Sequence, residues 1–306
     1  MNKFLRQNDK YGLLVIPGLF HELPEKFELI LPPDVCVSTE IDLPEAEHWK
    51  EWIGTIGWEE IEDAELYLLK RLPSKTPDIL DGENNDLIKD IRYFWNLLKI
   101  AGSFRAERPI LLTGAFRKDG IDIRQRSIDN YWFHQGEDQN QRFKASDCDL
   151  WFKIHEAHAR HHADVIANSR FLRIVRGFRN YFRALDEDMV DWRFPKVVRS
   201  IEAFLLPDSG STKKQFGTRC AYLSTLLTPS SPVPREKFLE IYELRNQIDH
   251  LHGYGDPTPE QWALVNTCEH FARSLYQKFL LDPDFQKNFA DDPTITKYWA
   301  AGTPSA

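Results

Sequence analysis

Hydrophobic spacing changes character near residue 145. Before it, Tyr11 to Ile16, Phe27 to Leu31 and Val35 to Ile41 are short apolar or alternating runs, cut by Pro17-Gly18, Pro32-Pro33 and Pro44. Short runs between turn residues predict strands of a small sheet. Glu45 to Trp58 is rich in Trp and Glu, and Asp86 to Ala101 sets Leu87, Ile91, Phe94, Trp95 and Leu98 at helical spacing, which predicts a helix. Ile110 to Phe116 and Ile121 to Ile128 flank Lys118-Asp119-Gly120, and Asp-Gly is a turn that antiparallel strands favour, so a hairpin is expected here.

From about Ala145 the strand signals fade and helical periodicity takes over. In Ser169 to Leu185, steps of roughly 100° per residue put Phe171, Ile174, Val175, Phe178, Tyr181, Phe182 and Leu185 on one side. Arg173, Arg176, Arg179 and Arg183 take the other side. Further helices are predicted at Phe194 to Leu206, Lys214 to Leu227, Pro234 to His252 and Thr258 to Leu281, the last two opening with proline at or near the first turn. The connectors Pro207 to Thr212 and Thr228 to Pro234 are short and rich in Ser, Pro and Gly, so neighbouring helices are expected to run antiparallel. The expected fold class is α+β: an N-terminal mixed α/β domain over 1–145, followed by an all-α bundle over 146–306.

Composition narrows the function classes. At 306 residues, 42% hydrophobic and 13% aromatic with nine tryptophans, the chain has apolar surface for two cores. The run Leu13 to Phe20 is broken by Pro17 and Gly18, and nothing else approaches the roughly 20 apolar residues of a membrane span, so no membrane partner is expected. Asp9 and the lack of a small-residue cleavage site read against a secretory signal. Cys36, Cys148, Cys220 and Cys268 are too widely spaced for a zinc knuckle or redox pair, which suits a reducing cytoplasm. A net charge of −8 disfavours nonspecific coating of nucleic acid but leaves room for a local basic patch.

The most informative stretch is Glu240-Ile241-Tyr242-Glu243-Leu244-Arg245-Asn246-Gln247-Ile248-Asp249-His250-Leu251-His252-Gly253, at the end of a helix that Gly253 and Gly255 are placed to terminate. Its Arg-Asn-x-x-x-His pattern resembles the signature of HEPN domains. The surroundings, with the Arg199-Ser200-Ile201-Glu202-Ala203-Phe204-Leu205-Leu206 helix and Phe216 to Leu223 ahead of the motif, resemble the Apea-like branch. The resemblance covers roughly the second half of the chain. It implies a dimeric, metal-independent endoribonuclease with RNA, tRNA included, as substrate, or a catalytically silent relative that dimerises and binds RNA or a ligand. It further implies a role in antiphage defence or as a toxin, in which the N-terminal domain binds a ligand or regulator, or restrains the nuclease.

The residues suit that chemistry. Cleaving RNA without a metal needs a base for the 2′-OH proton, an acid for the leaving 5′-oxygen and a fixed cation for the phosphorane, and the products are a 2′,3′-cyclic phosphate and a 5′-hydroxyl. His250 and Arg245 supply these groups, and Asn246 is placed to orient the phosphate or to cap the site by hydrogen bonding. No metal and no cofactor is called for. On an ideal helix Arg245 and His250 stand about 140° apart, so one copy looks incomplete unless the helix loosens at its end. The family's solution is a homodimer in which both motif helices line one cleft. His252, seven residues after Arg245 and nearly on its face, is the alternative histidine. Asp249 is placed to raise a neighbouring histidine's pKa, although adjacent helical residues point apart. The same Arg and His also suit simple capping of a helix C-terminus.

Two further patterns carry chemistry. The arginines 173, 176, 179 and 183 form a stripe with no acid between Arg170 and Arg183, which fits an RNA backbone as well as a solvated helix face. His155, His158, His161 and His162 share a predicted helix; His158 and His162 have metal-chelating spacing, but the order is not that of a zincin, and a surface cluster is the expected reading over a metal-dependent hydrolase.

Overall fold

The computed structural model describes residues 5–19, 21–31, 35–43, 46–73, 81–102, 109–117, 120–127, 142–168, 170–187, 189–250 and 257–302. Strands β1 (Asp9–Ile16), β2 (Glu28–Leu31), β3 (Val35–Ser38), β4 (Leu66–Pro73), β5 (Ile110–Arg117) and β6 (Gly120–Ser127) form one antiparallel sheet in the order β2-β3-β4-β1-β5-β6. Strand β1 lies inside the sheet, with Leu13 opposite Leu69 on one side and Leu112 on the other, and every residue of it is buried. Alternation then assigns its two faces. Tyr11, Leu13 and Val15 pack with Trp49, Trp58 and Ile61 of α1 (Ala46–Glu62). The opposite face meets α2 (Asp81–Ala101) so closely that a Cβ on Gly12 would sit 2.9 Å from Ile91. Polar pairs punctuate that second layer: Lys10 Nζ reaches both Glu83 oxygens at 2.6 Å, Lys70 pairs with Asp90, and Thr113 bonds Asn84.

The strands expected at Tyr11, Phe27 and Val35, the helix ending at Ala101 and the hairpin from Ile110 are all present; the turn residues Lys118 and Asp119 lie outside the described residues. Strand β4 is not announced by the pattern. Leu66-Tyr67-Leu68-Leu69 does not alternate because a strand covered on both faces has no polar side. The following Lys70 and Arg71 look like a polar stop, yet they are held inside by Asp90 and Asp9.

The chain's contacts divide within α3 (Ala145–Asn168), between Phe152 and Lys153. Beyond it lie α4 (Leu172–Leu185), α5 (Val190–Leu205), α6 (Thr212–Leu227), α7 (Arg235–Asp249), α8 (Pro259–Leu281), α9 (Pro283–Lys287) and α10 (Asp292–Gly302). Of the predicted apolar face, Ile174, Phe178, Tyr181 and Leu185 of α4 are buried, together with Gly177 and Ala184, while Val175 and Phe182 are half-buried. Gly177 permits a close crossing, since a Cβ there would lie 2.7 Å from both the Ala203 methyl on α5 and the Tyr276 hydroxyl on α8. Tyr276 donates to the Ser200 carbonyl at 3.1 Å and stacks on Tyr181 at 4.8 Å, tying α4, α5 and α8 together. Thr258 and Gln261 form a reciprocal capping box at the start of α8, followed by Pro259 at the first turn. Trp299 of α10 donates to the Phe204 carbonyl at 3.0 Å. No helix among the described residues is long and apolar enough to cross a membrane.

Candidate functional site

Helix α7 turns Phe238, Ile241, Tyr242, Leu244 and Ile248 inward, and it packs on α5, α6 and α8. That choice of inner face leaves Arg245 on the flank, with 17% of its side chain exposed. Its guanidinium stays on its own helix: Nη1 donates to Asn246 Oδ1 at 3.0 Å, Nε lies 2.9 Å from Asp249 Oδ2, and the group sits 5.5 Å from the Tyr242 ring centre. The same Asp249 oxygen lies 3.5 Å from Nη2 of Arg199 on α5. One turn along α5, the Glu202 carboxyl is raised above its ordinary value by burial, lowered by Arg245 and Arg199, and raised again by Asp249. Burial and then Glu202 likewise push the Tyr242 hydroxyl up. The result is a charge-balanced patch of two arginines and two carboxylates, drawn equally from α5 and α7.

His250 is the C-cap of α7, one residue beyond the end of the helix. Its backbone, at φ −99° and ψ 5°, leaves the α-helical basin, and its N–H donates to the Asn246 carbonyl at 3.1 Å. The N–H of His250 keeps the i→i−4 bond of the helix, which ends at this residue. His250 is exposed. His252, Gly253 and Gly255 lie outside the described residues, so the choice between the two histidines rests on the motif alone. The structure brings Arg245 and Asn246 together. Asp249 meets the two arginines, where the sequence reading had paired it with a histidine.

The arginine stripe divides. Arg173 is half-buried and holds Asp292 through Nε at 2.9 Å and Nη2 at 3.4 Å, fastening α4 to α10. Arg176, Arg179 and Arg183 are exposed, and none makes an ion pair among the described residues. These three form a cationic face on α4.

The histidines of α3 do not form a surface cluster. His155 and His161 are buried, and the rings of His161 and His158 nest among aromatics: His161 lies 5.0 Å from Phe171 and 5.1 Å from Phe279, and His158 stands edge-on to Phe178 at 5.5 Å. Burial first, then His161, His162 and His155, push His158 down to about 3. Aromatic packing on α4 and α8 outweighs solvation here, a reason that four-residue spacing does not reveal. Among the described residues no three His, Cys, Asp or Glu side chains converge as metal ligands.

Sequence reasoning missed Arg199 and Glu202 as site residues. They stand 50 and 47 positions before Asp249, and no local pattern links them to it. No protein-family model, curated protein or solved structure matches the chain.

Proposed function

We propose that the helical region is a HEPN-type, metal-independent endoribonuclease that works as a homodimer on RNA, tRNA among its candidate substrates. The observation that carries this reading is that Arg245 stands on the last turn of α7, held by Asn246 and Asp249, and that the exposed His250 is the residue at which the same helix ends. In this reading His250 takes the 2′-OH proton, and the freed oxygen attacks the adjacent phosphorus. Arg245 neutralises the phosphorane, and Asn246 holds the guanidinium in plane through its Oδ1. The leaving 5′-oxygen gains its proton from a histidine of the second copy, because one motif helix supplies only part of an acid–base pair. A 2′,3′-cyclic phosphate and a 5′-hydroxyl result. The exposed Arg176, Arg179 and Arg183 offer a track for the RNA backbone away from the reacting bond. A role in defence or as a toxin, with the N-terminal domain sensing a ligand, belongs to the same proposal.

A second reading, a catalytically silent module that dimerises and binds RNA or a ligand, draws on the engagement of Arg245 by Asp249 and Asn246 of its own helix. Cleavage of labelled total RNA and tRNA in EDTA separates the two. Wild type leaving cyclic-phosphate ends, with the activity lost in His250→Ala and Arg245→Ala of matched stability, supports the nuclease. Equal activity in all three overturns the site, and no cleavage by any favours the silent module.

A further inference from the structure

We propose that Arg199 and Arg245 form a two-arginine clamp for a phosphodiester of single-stranded RNA, and that Asp249 is the internal anion that holds the clamp until an RNA phosphate displaces it. The choice of RNA as the polyanion rests on the ribonuclease reading above; the second arginine and the displaceable carboxylate go beyond it.

A single Asp249 oxygen serves both cations, at 2.9 Å from Arg245 Nε and 3.5 Å from Arg199 Nη2. A phosphodiester brings the same single charge with two free oxygens, which suits two guanidinium forks better than one shared carboxylate oxygen. Asp249 is also poorly placed for its own helix. It occupies the last turn of α7, against the negative end of the helix dipole, and it follows its arginine by four residues, the less favourable order for such a pair. Its position is explained by the two arginines. The hold is also incomplete: the Nε–H of Arg245 is buried without a hydrogen bond among the described residues although the carboxylate oxygen is close, so charge rather than a directed bond joins Arg245 to Asp249, while the guanidinium's directed bond runs from Nη1 to Asn246 Oδ1.

Exposure is graded along the clamp. The Arg199 side chain is 51% exposed, Asp249 21% and Arg245 17%. An incoming strand meets Arg199 first, and the phosphate then moves inward to Arg245 as Asp249 is released. His250 follows Asp249 directly in the chain and is exposed at the end of α7. Glu202, one turn from Arg199 on α5, is close enough to both arginines for each to lower its pKa against the effect of burial.

The test uses the full chain and a short single-stranded RNA with 2′-O-methyl sugars, which binds but has no 2′-OH to attack, with affinity followed across a salt series. Arg199→Ala is expected to weaken binding about tenfold and to reduce the magnitude of the salt slope by about 0.7, the share of one phosphate contact on a single strand. Arg199→Lys keeps the slope and loses part of the affinity, because an ammonium lacks the fork. Asp249→Asn is expected to bind about fivefold tighter, since the competing anion is gone; a merely structural Asp249 predicts unchanged or weaker binding. Arg199 is half exposed, so its variants are expected to fold, and a urea titration checks this. If Arg199→Ala leaves affinity and slope unchanged, if Asp249→Asn fails to tighten binding, or if the wild type binds no RNA, the clamp is overturned. Parallel cleavage of unmodified RNA keeps the two proposals apart. Binding effects as expected without cleavage by any variant retain the clamp and sink the nuclease. Cleavage abolished by Arg245→Ala, with wild-type binding in Arg199→Ala, does the reverse.

Discussion

His158 is the side chain from which a pH dependence of stability is expected. Packed edge-on to Phe178 and beside three other histidines, it is held down to about 3, against an ordinary value of 6.5. The folded chain therefore leaves His158 neutral down to about pH 3, while the unfolded chain takes up the proton near 6.5. Stability from this group is complete above 6.5 and is lost as pH falls below it, by roughly 1.4 kcal/mol per unit. Urea titrations are expected to show a loss of about 2 kcal/mol between about pH 7 and pH 5, and His158→Phe, which keeps the aromatic contacts, should flatten that slope. An unchanged slope in the variant would show that the acid sensitivity lies elsewhere. The four-residue spacing of His158 and His162 was legible in the sequence, but their surroundings were not, because Phe178 and Phe279 reach them from α4 and α8. Asp249 carries the same lesson: its neighbour His250 was visible in the sequence, and its partner Arg199, 50 residues away, was not.

At the scale of elements, regular periodicity was readable and its interruptions were not. Helix α4 shows the first case, burying the face its arginines leave free. Gly177 sits at a close approach of this helix to its neighbours, and there a methyl group would meet Ala203, Tyr276 and the Ser200 carbonyl within 3.2 Å. Gly177→Ala is therefore expected to destabilise the helical region by about 1–3 kcal/mol, despite alanine's better helix propensity, because α4 and α5 must separate. A rise in the urea midpoint would contradict this. The start of α8 was equally readable from Thr258-Pro259-Glu260-Gln261. Thr258→Ala removes one half of the capping box and is expected to cost about 1 kcal/mol by the same titration. Strand β4 and helix α1 show the interruptions. The first is apolar on both faces and then hides Lys70 against Asp90, and the second is broken by Gly54 at φ 81°. Neither follows a single period, so a reading based on period loses them.

Across the whole molecule, a six-stranded sheet with helices gives way to helices alone, and the contacts divide within α3 after Phe152. Each side owns its core: Leu13 sits among Trp49, Leu69 and Leu112 in the sheet, and Phe204 among Tyr276, Phe279 and Phe289 in the helices. Two cores of this kind are expected to melt as two calorimetric transitions, since two-state unfolding belongs to a single cooperative unit. Leu13→Ala, costing about 2–5 kcal/mol, should lower one transition, and Phe204→Ala, costing about 3–5 kcal/mol, the other. A single transition moved equally by both variants would mean that α3, which runs through the division, couples the two cores into one unit. The outcome bears on the proposed regulation. A sensing N-terminal domain can act on a nuclease in the helical region only through a free energy shared by both, and the extent to which each variant shifts the other's transition measures that energy.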